Sequence, residues 1–397
     1  MNRASAPPLA PARRVPALLV AVGILMIGGT LPAPLYLLWQ QEVHFSEVVL
    51  TLLFAVYFPA AVIALLFFGR LSDQVGRRTV LLLGIATALA STLCLIFAHG
   101  LPLLFLGRFL SGFSVGVVLA AFTAHLSELM PGGQSEARAA DISAVTQLLG
   151  LGIGPALAGI MAQYLPLPTL ACFYALLALL VVAAALATAT PETRREVRSR
   201  SVRPRLAMPK GKEAAFFSLA AAGFCMFAMV GLFTSLVPSV LAQRLHNANH
   251  AVAGAMSFEL FLAATIAAAT LTRAPPGPAI LASLGLIPLG LVPLMLGIMR
   301  PALWLFVGGT ALEGLAIGLG FARTLREVNR LAGDQERARV LSVYFTVTFI
   351  ASMLPVIGMG LITHFANAIA ADFTFACIVG LLALAALTAR LTGLTAS

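Results

Sequence analysis

Two carboxylates lie deep within long apolar runs of the sequence, where they could exchange protons. Glu259 follows about eight residues of its run and Glu313 about eleven, which at about 1.5 Å per helical residue places both near the middle of a bilayer. A carboxyl group favours its protonated form when dry and its charged form when wet or beside a cation. Either residue is therefore a candidate for proton coupling or substrate binding, and a buried glutamate hydrogen-bonded to a neighbouring helix is the alternative.

Arg108 is a third charged residue inside an apolar run. An arginine within a bilayer costs about 2.5–3.5 kcal/mol, so such residues usually face a wet cavity or a partner. We therefore include Arg108 among the candidate cavity residues. Because it follows the start of its run by only about seven residues, or about 10 Å of helix, snorkelling to the outer interface is the alternative.

The elements that must position these charges are the apolar runs themselves. Of the 397 residues, 60% are hydrophobic and 10% are charged, against about 25% charged residues in a soluble domain. A helical span needs about 20 apolar residues. Twelve such runs lie near residues 15–38, 48–68, 80–98, 102–126, 142–164, 169–190, 214–237, 251–272, 279–299, 302–322, 340–364 and 373–389. The composition thus predicts an all-α integral membrane protein.

The basic residues predict how these spans are oriented. If the amino end is cytoplasmic, only Arg244 and Arg300 of the 25 Lys and Arg fall on outer segments, and Arg108 falls within a span. Basic segments stay on the cytoplasmic side of a membrane, so we expect both termini there, in a multi-pass protein of the cell inner (cytoplasmic) membrane. The net charge of +10 then reflects basic segments at the surface of the lipid bilayer, and it does not indicate nucleic-acid binding.

A basic stretch at residues 191–212 separates two sets of six runs. Pro204 and Pro209 prevent a long helix there, so we interpret it as a cytoplasmic linker between six-helix bundles at residues 1–190 and 213–397. A faint internal repeat supports the duplication. The sequences RFLSGFSVG at residues 108–116 and TALEGLAIG at residues 310–318 align with matching glycines at an offset of 202 residues, and transporter folds are often built from duplicated bundles.

The most specific motif is GRLSDQVGRR at residues 69–78, between the second and third runs. Gly69 and Gly76 allow close backbone approach and a tight turn. Asp73 can accept hydrogen bonds from a helix N-terminus or an arginine, and Arg77 and Arg78 hold the turn at the cytoplasmic surface. The motif is similar to the signature of the major facilitator superfamily at this place. That resemblance implies that Asp73 makes an interdomain contact that stabilises the outward-open state and breaks as the protein turns inward.

Two further motifs resemble the same family. Arg108 and Gly112 match its membrane-embedded arginine followed by a glycine. The sequence GLGIGPALAG resembles the glycine and proline motif of the family's antiporters, which include twelve-span drug and sugar exporters. The residues that carry this antiporter motif are Gly150, Gly154, Pro155 and Gly159. Its glycines thin one helix face and its proline permits a bend, and ordinary small-residue packing is the alternative reading.

The resemblance implies a major facilitator fold of twelve transmembrane helices in two pseudo-symmetric six-helix bundles. It favours a monomeric secondary active transporter, of the twelve-span drug/sugar proton antiporter type, that exports a small, partly hydrophobic solute such as a drug-like compound or sugar in exchange for protons. The alternative is a proton-coupled or facilitative importer of a small metabolite. The spans contain neither a nucleophile with its base nor a cluster of metal ligands, so we expect no enzyme activity, no cofactor and no metal.

Overall fold

The computed structural model describes residues 15–130, 135–193, 208–209, 211–271, 274–332 and 337–392. Across these residues all regular secondary structure is helical, and twelve helical spans are long and apolar enough to cross a membrane. Most span ends lie within a few residues of those predicted from the sequence. The predicted all-α membrane architecture is therefore confirmed.

The spans follow one another along the chain, and spans 1, 2 and 7 are each interrupted once. Span 1 contains α1 (Val15–Thr30), a 3₁₀ turn (Ala33–Leu35) and α2 (Tyr36–Val43), span 2 contains α3 (Glu47–Ala55) and α4 (Tyr57–Val75), and spans 3 to 6 are α5 (Arg77–Ile96), α6 (Leu101–Leu129), α7 (Ser135–Tyr164) and α8 (Ala171–Ala189). Span 7 contains α9 (Glu213–Ser235) and α10 (Val237–Gln243), and spans 8 to 12 are α11 (His250–Thr270), α12 (Pro276–Met299), α13 (Leu303–Leu331), α14 (Arg337–Phe365) and α15 (Ala368–Leu391).

Spans 1 and 7 are interrupted at nearly the same relative position. Span 1 leaves its α-helix around Pro32 and Pro34, and span 7 restarts after Leu236 with Pro238 in the first turn of α10. Proline lacks a backbone N–H and is tolerated in the first turn of a helix, so both interruptions follow from the sequence. The two halves thus repeat a local feature as well as an order of spans.

The glycine repeat of the sequence is also a repeat of helix packing. A Cβ added at either of the two repeat glycines of span 4 would overlap the backbone of span 2, and one added at either of the two matching glycines of span 10 would overlap the backbone of span 8. Glycines allow membrane helices to approach this closely. The contacts are Gly112 with Tyr57 and Gly116 with Ala61 in the first half, and Gly314 with Leu260 and Gly318 with Ala264 in the second.

Spans 1–6 and spans 7–12 form two bundles that meet mainly through span 5 against span 8 and span 2 against span 11. The even-numbered spans all finish at one end of the molecule, which we call the basic end. The other end, where span 3 finishes and span 4 begins, is the opposite end. Each bundle contributes helices to both ends, so a relative tilt of the bundles would open one end while closing the other.

Span 10 extends further than the sequence predicts. The apolar run ends at Ala322, but the helix continues to Leu331. The added residues include Arg323 and Arg326, which the hydropathy pattern placed outside the span. The reason is packing: Arg323 is fully buried within the protein, and only 29% of the Arg326 side-chain surface is exposed.

Candidate functional site

Arg108 lies inside the first half, with 2% of its surface exposed. Its Nη1 donates a hydrogen bond to the backbone carbonyl of Gly29 at 3.2 Å. Its guanidinium carbon lies 4.9 Å from the ring centre of Tyr57 and 5.9 Å from that of Tyr36, within the range of cation–π attraction. The alternative in which Arg108 snorkels to the membrane surface is therefore wrong. The cation is held between spans 1, 2 and 4 by aromatic faces and a carbonyl oxygen.

Glu313 lies in the second half and is fully buried, at 0% exposure. Neither of its carboxylate oxygens has a hydrogen-bond partner within the described ranges. The carboxylate occupies space left by Gly290 of span 9, where an added Cβ would lie 2.7 Å from Oε1. The thiol of Cys225 in span 7 is also within electrostatic range. A carboxyl group left unpaired in apolar surroundings is costly when charged, and is suited to holding a proton.

Glu259 lies on span 8 and is only partly buried, and its Oε2 is a buried atom without a partner in the described part of the chain. It directly precedes Leu260, whose backbone packs against Gly314 of span 10. The two candidate carboxylates therefore lie on the two helices that this glycine contact joins. Glu313 is the more enclosed of the two, which makes it the stronger candidate for proton binding.

The GRLSDQVGRR motif at residues 69–78 forms the end of span 2 and the start of span 3. Arg77 is buried, its Nη1 donates to Ser72 Oγ at 2.6 Å, and its Nη2 lies 3.4 Å from Glu128 Oε1 of span 4. Gly76 has φ of +112°, a conformation that favours glycine. The surroundings of Gly69 and the side chain of Asp73 lie outside the described residues, so the predicted role of Asp73 stays a prediction.

Glu192, three residues after the end of span 6, has no role in the sequence prediction but binds this motif directly. Its Oε1 accepts a hydrogen bond from the backbone N–H of Arg77 at 2.6 Å, and its Oε2 accepts from those of Arg78 and Thr79 at 3.1 and 3.3 Å. A helix N-terminus is a favourable place for an anion. No local pattern connects residue 192 with residue 77, so this carboxylate could be found only from the folded structure.

The antiporter motif of span 5 contacts two different helices. Added Cβ atoms at Gly150 and Gly154 would overlap the backbone of span 1, whereas one at Gly159 would overlap span 8 beside Gly254. The carbonyl of Pro155 also packs against Gly254. Span 5 is thus closely packed against a helix of its own half and a helix of the other half.

The halves touch at both ends. At the opposite end, the Gly159–Gly254 contact is joined by a hydrogen bond from the backbone N–H of His250 to Gln163 Oε1 at 3.0 Å. At the basic end, Arg326 of span 10 donates from Nη2 to both carboxylate oxygens of Asp141 of span 5, at 2.6 and 2.5 Å. Asp141 and Arg326 thus form an ion pair between the two halves.

Arg323, one turn before Arg326, is the functional candidate that the sequence prediction missed. It is fully buried, at 0% exposure, and none of its three guanidinium nitrogens has a hydrogen-bond partner among the residues that the structure describes. The charged groups in electrostatic range are Arg326 and Asp141. The signal was present in the sequence as an arginine directly after an apolar run, but such residues are ordinarily solvated at a span end.

Sequence comparison identifies the family. The profile of the Major Facilitator Superfamily matches residues 18–299, more than half of the chain. The chain therefore belongs to the major facilitator superfamily and is a transporter of that family. The resemblance inferred from the three motifs is confirmed.

Two curated relatives are matched over shorter segments. The chain is 34% identical over 98 residues to the major facilitator superfamily multidrug transporter mfsB of Aspergillus fumigatus. This match covers 25% of this chain and 16% of that protein. It is 24% identical over 140 residues to the quinolone resistance protein NorA of Staphylococcus aureus. This match covers 35% of this chain and 36% of that protein. The matches span well under two thirds of either relative.

A solved structure is similar over the whole chain. The human organic anion transporter MFSD10 (TETRAN) superposes with a TM-score of 0.69 at 16% sequence identity, over 95% of this chain and 100% of that chain. The likeness shows a shared fold. It confirms the predicted arrangement of twelve spans in two six-helix bundles.

Proposed function

We propose that this transporter exports a small, partly hydrophobic solute in exchange for protons by alternating access. The observation that carries the proposal is Glu313, a fully buried carboxylate with no hydrogen-bond partner in the described residues. A group in this position is stable when protonated, and it releases its proton when the site becomes wet or receives a cation. Glu313 is therefore the proposed coupling residue, with Glu259 as the second candidate.

Span 10 links this proton site to a gate. Glu313 and Arg326 lie on the same helix, about 20 Å apart along its axis. Arg326 pairs with Asp141 of the other half, whereas Gly314 fixes span 10 against span 8. A change in the charge of Glu313 alters the packing of the helix that carries the Arg326 side of the gate. Proton release and opening of the basic end are thereby coupled mechanically.

The two ends of the interface support alternating access. The opposite end is closed by backbone packing at Gly159 and Gly254, and the basic end by the pair of Asp141 and Arg326. Rigid tilting of one bundle against the other breaks one set of contacts while keeping the other. In this scheme residues 191–212 are the linker between bundles at residues 1–190 and 213–397. The chain lies in the cell inner (cytoplasmic) membrane with its basic end toward the cytoplasm, and a single chain suffices.

The relatives support the class of solute and the direction. One is named a multidrug transporter and the other a quinolone resistance protein. Both names concern drug-like compounds, and export of a quinolone from the cell would account for the resistance that the second name states. A fluorescent quinolone is therefore a suitable first test solute.

The proposal is tested with everted membrane vesicles from cells that express the transporter. A proton gradient, acidic inside, should drive the quinolone into the vesicles. In Glu313→Gln this uptake should fall about tenfold or more, because the side chain keeps its shape but no longer binds and releases a proton. Glu327→Gln is the matched control on the same helix, since Glu327 is paired with Arg330 and is expected to leave uptake unchanged.

Two outcomes would overturn the proposal. Normal gradient-driven uptake by Glu313→Gln, with loss in Glu259→Gln instead, would transfer the coupling role to Glu259. Accumulation of solute by whole cells, with no uptake by everted vesicles, would favour the importer of a small metabolite.

A further inference from the structure

Arg323 is a buried cation for which the fold supplies no counter-charge of its own among the described residues. Its side chain is completely enclosed, and its Nε, Nη1 and Nη2 atoms all lack hydrogen-bond partners in that part of the chain. Buried polar groups in proteins are almost always hydrogen-bonded, and an unpaired buried charge is among the most costly features a fold can contain. Such a feature persists where it serves binding.

The nearby charges do not neutralise Arg323. Asp141 is in electrostatic range, but both of its oxygens accept hydrogen bonds from Arg326. Glu327, one turn further along span 10, is bound by Arg330 at 2.7 Å. Among the described residues, these two carboxylates near this part of the helix are therefore already paired with other arginines.

Opening of the basic end increases this excess of positive charge. Asp141 belongs to span 5 of the first half, whereas Arg323 and Arg326 belong to span 10 of the second half. When the halves separate, Asp141 leaves and both arginines remain on one helix, beside the passage that the opening creates. Such a surface is suited to an anion, because the arginine side chain presents a planar set of donors.

We propose that Arg323 binds an anionic group, a carboxylate or a group of similar charge, on the solute that this protein transports. The solute enters from the basic end, pairs with Arg323 in the space vacated by Asp141, and leaves when Asp141 returns. This proposal deepens the function proposed above, because it adds an anionic group to the exported compound. It depends on transport but not on the direction of transport or on coupling to protons.

The test measures thermal unfolding of the purified protein without any gradient, so that it is independent of the vesicle assay. Benzoate, a small aromatic carboxylate, replaces chloride at constant ionic strength, and uncharged benzamide is the parallel addition. Benzoate should raise the unfolding temperature in a saturable way and benzamide should not. In Arg323→Met the benzoate concentration for half of the effect should rise about tenfold, as expected for loss of one charge-assisted hydrogen bond.

A matched control and a stability measurement separate binding from structure. Arg330→Met, on the same helix but with an exposed side chain, should keep the full benzoate effect. Without benzoate, Arg323→Met should unfold at the same temperature as the natural protein or at a higher one, because an unpaired buried cation has been removed. Arg323→Lys keeps the charge and should retain part of the effect.

Three results would overturn the proposal. Equal stabilisation of the natural protein and Arg323→Met by benzoate would show that benzoate binds elsewhere. Equal, Arg323-dependent stabilisation by chloride or inorganic phosphate would indicate a site for a small inorganic anion rather than for the solute. A large loss of stability in Arg323→Met without any added anion would show that the arginine is a structural group.

Discussion

The two halves of the molecule share their packing but differ in how they treat buried charge. Both join neighbouring spans through a pair of glycines at matching positions, Gly112 and Gly116 in the first half and Gly314 and Gly318 in the second. The residue that matches Arg108 in the second half is Thr310, whose hydroxyl donates to a carbonyl of its own helix. The residue that matches Glu313 in the first half is Ser111, which donates to the carbonyl of Gly28.

The two halves therefore differ in how many partners surround their buried charges. In the first half the buried cation Arg108 donates one hydrogen bond to a carbonyl and lies against two aromatic rings, although its Nε has no hydrogen-bond partner among the described residues. In the second half the carboxylate of Glu313 and the guanidinium of Arg323 have no hydrogen-bond partners among the described residues. The duplicated scaffold thus holds one buried charge with surrounding partners in the first half. In the second half it holds two buried charges without hydrogen-bond partners among the described residues. We infer that the first half provides a rigid surface and the second half the exchangeable binding groups.

The largest expected effect tests the shared scaffold. Gly116→Val and Gly318→Val should each lower the free energy of unfolding by about 3 kcal/mol or more, because the added atoms meet backbone that cannot move aside. Gly308→Val is the control, since no atom lies within 4 Å of a Cβ added there in the described structure. Reversible unfolding in mixed detergent gives the free energies. Unequal losses at positions 116 and 318 would break the equivalence of the two halves.

A smaller effect tests the difference between the surroundings of the buried arginines in the two halves. Arg108→Met should lower the free energy of unfolding by about 1–3 kcal/mol, because the hydrogen bond from Nη1 to Gly29 and the two cation–π contacts are lost together. Arg323→Met, in contrast, should not destabilise the protein. The same unfolding measurement on both variants compares the halves directly. Similar losses in both would show that the two arginines play the same structural role.

The gate between the halves gives a more modest effect. Asp141→Asn should favour opening of the basic end by about 1 kcal/mol, the upper range for a partly exposed ion pair, which corresponds to about a fivefold change in the open population. In a cysteine-free background, Ser143→Cys next to this gate should then react about fivefold faster with a soluble maleimide, because residue 143 is fully buried in the closed state. Gln163→Leu, which removes a contact at the opposite end, should not raise that rate.

The smallest expected effect concerns Glu192 and its contact with span 3. Glu192→Gln should lower the free energy of unfolding by about 0.5–1 kcal/mol, because a neutral amide interacts less well with a helix N-terminus than a carboxylate does. Glu327→Gln is a matched neutral control at the same end. If added salt removed none of the stability difference between the natural protein and the Glu192→Gln variant, the contact would not be electrostatic.

Much of this architecture could be predicted from the sequence because it depends on local patterns. Apolar runs predict spans since the bilayer demands them, and the glycines of residues 108–116 and 310–318 predict close packing since nothing larger fits. The turn at Gly76 is likewise encoded locally by a residue that tolerates a positive φ.

The charged contacts could not be predicted because they depend on which helices become neighbours. Arg323 follows an apolar run and would be solvated if its helix ended there, but the helix continues and is covered by other spans. The binding of Glu192 to the start of span 3 joins residues more than 100 positions apart in the chain. For Glu313, the sequence predicted its depth, whereas its orientation toward Gly290 of span 9 required the structure.

The two closures between the halves differ in what can disturb them. The pair of Asp141 and Arg326 is electrostatic and partly exposed, at 17% and 29% of the side-chain surface, so dissolved ions weaken it over a screening length of about 8 Å at physiological salt. The stacked backbones at Gly159 and Gly254 carry no charge, and electrolytes leave them unaffected. The resting balance between the two open forms therefore responds to the ionic composition of one compartment and is insensitive to that of the other.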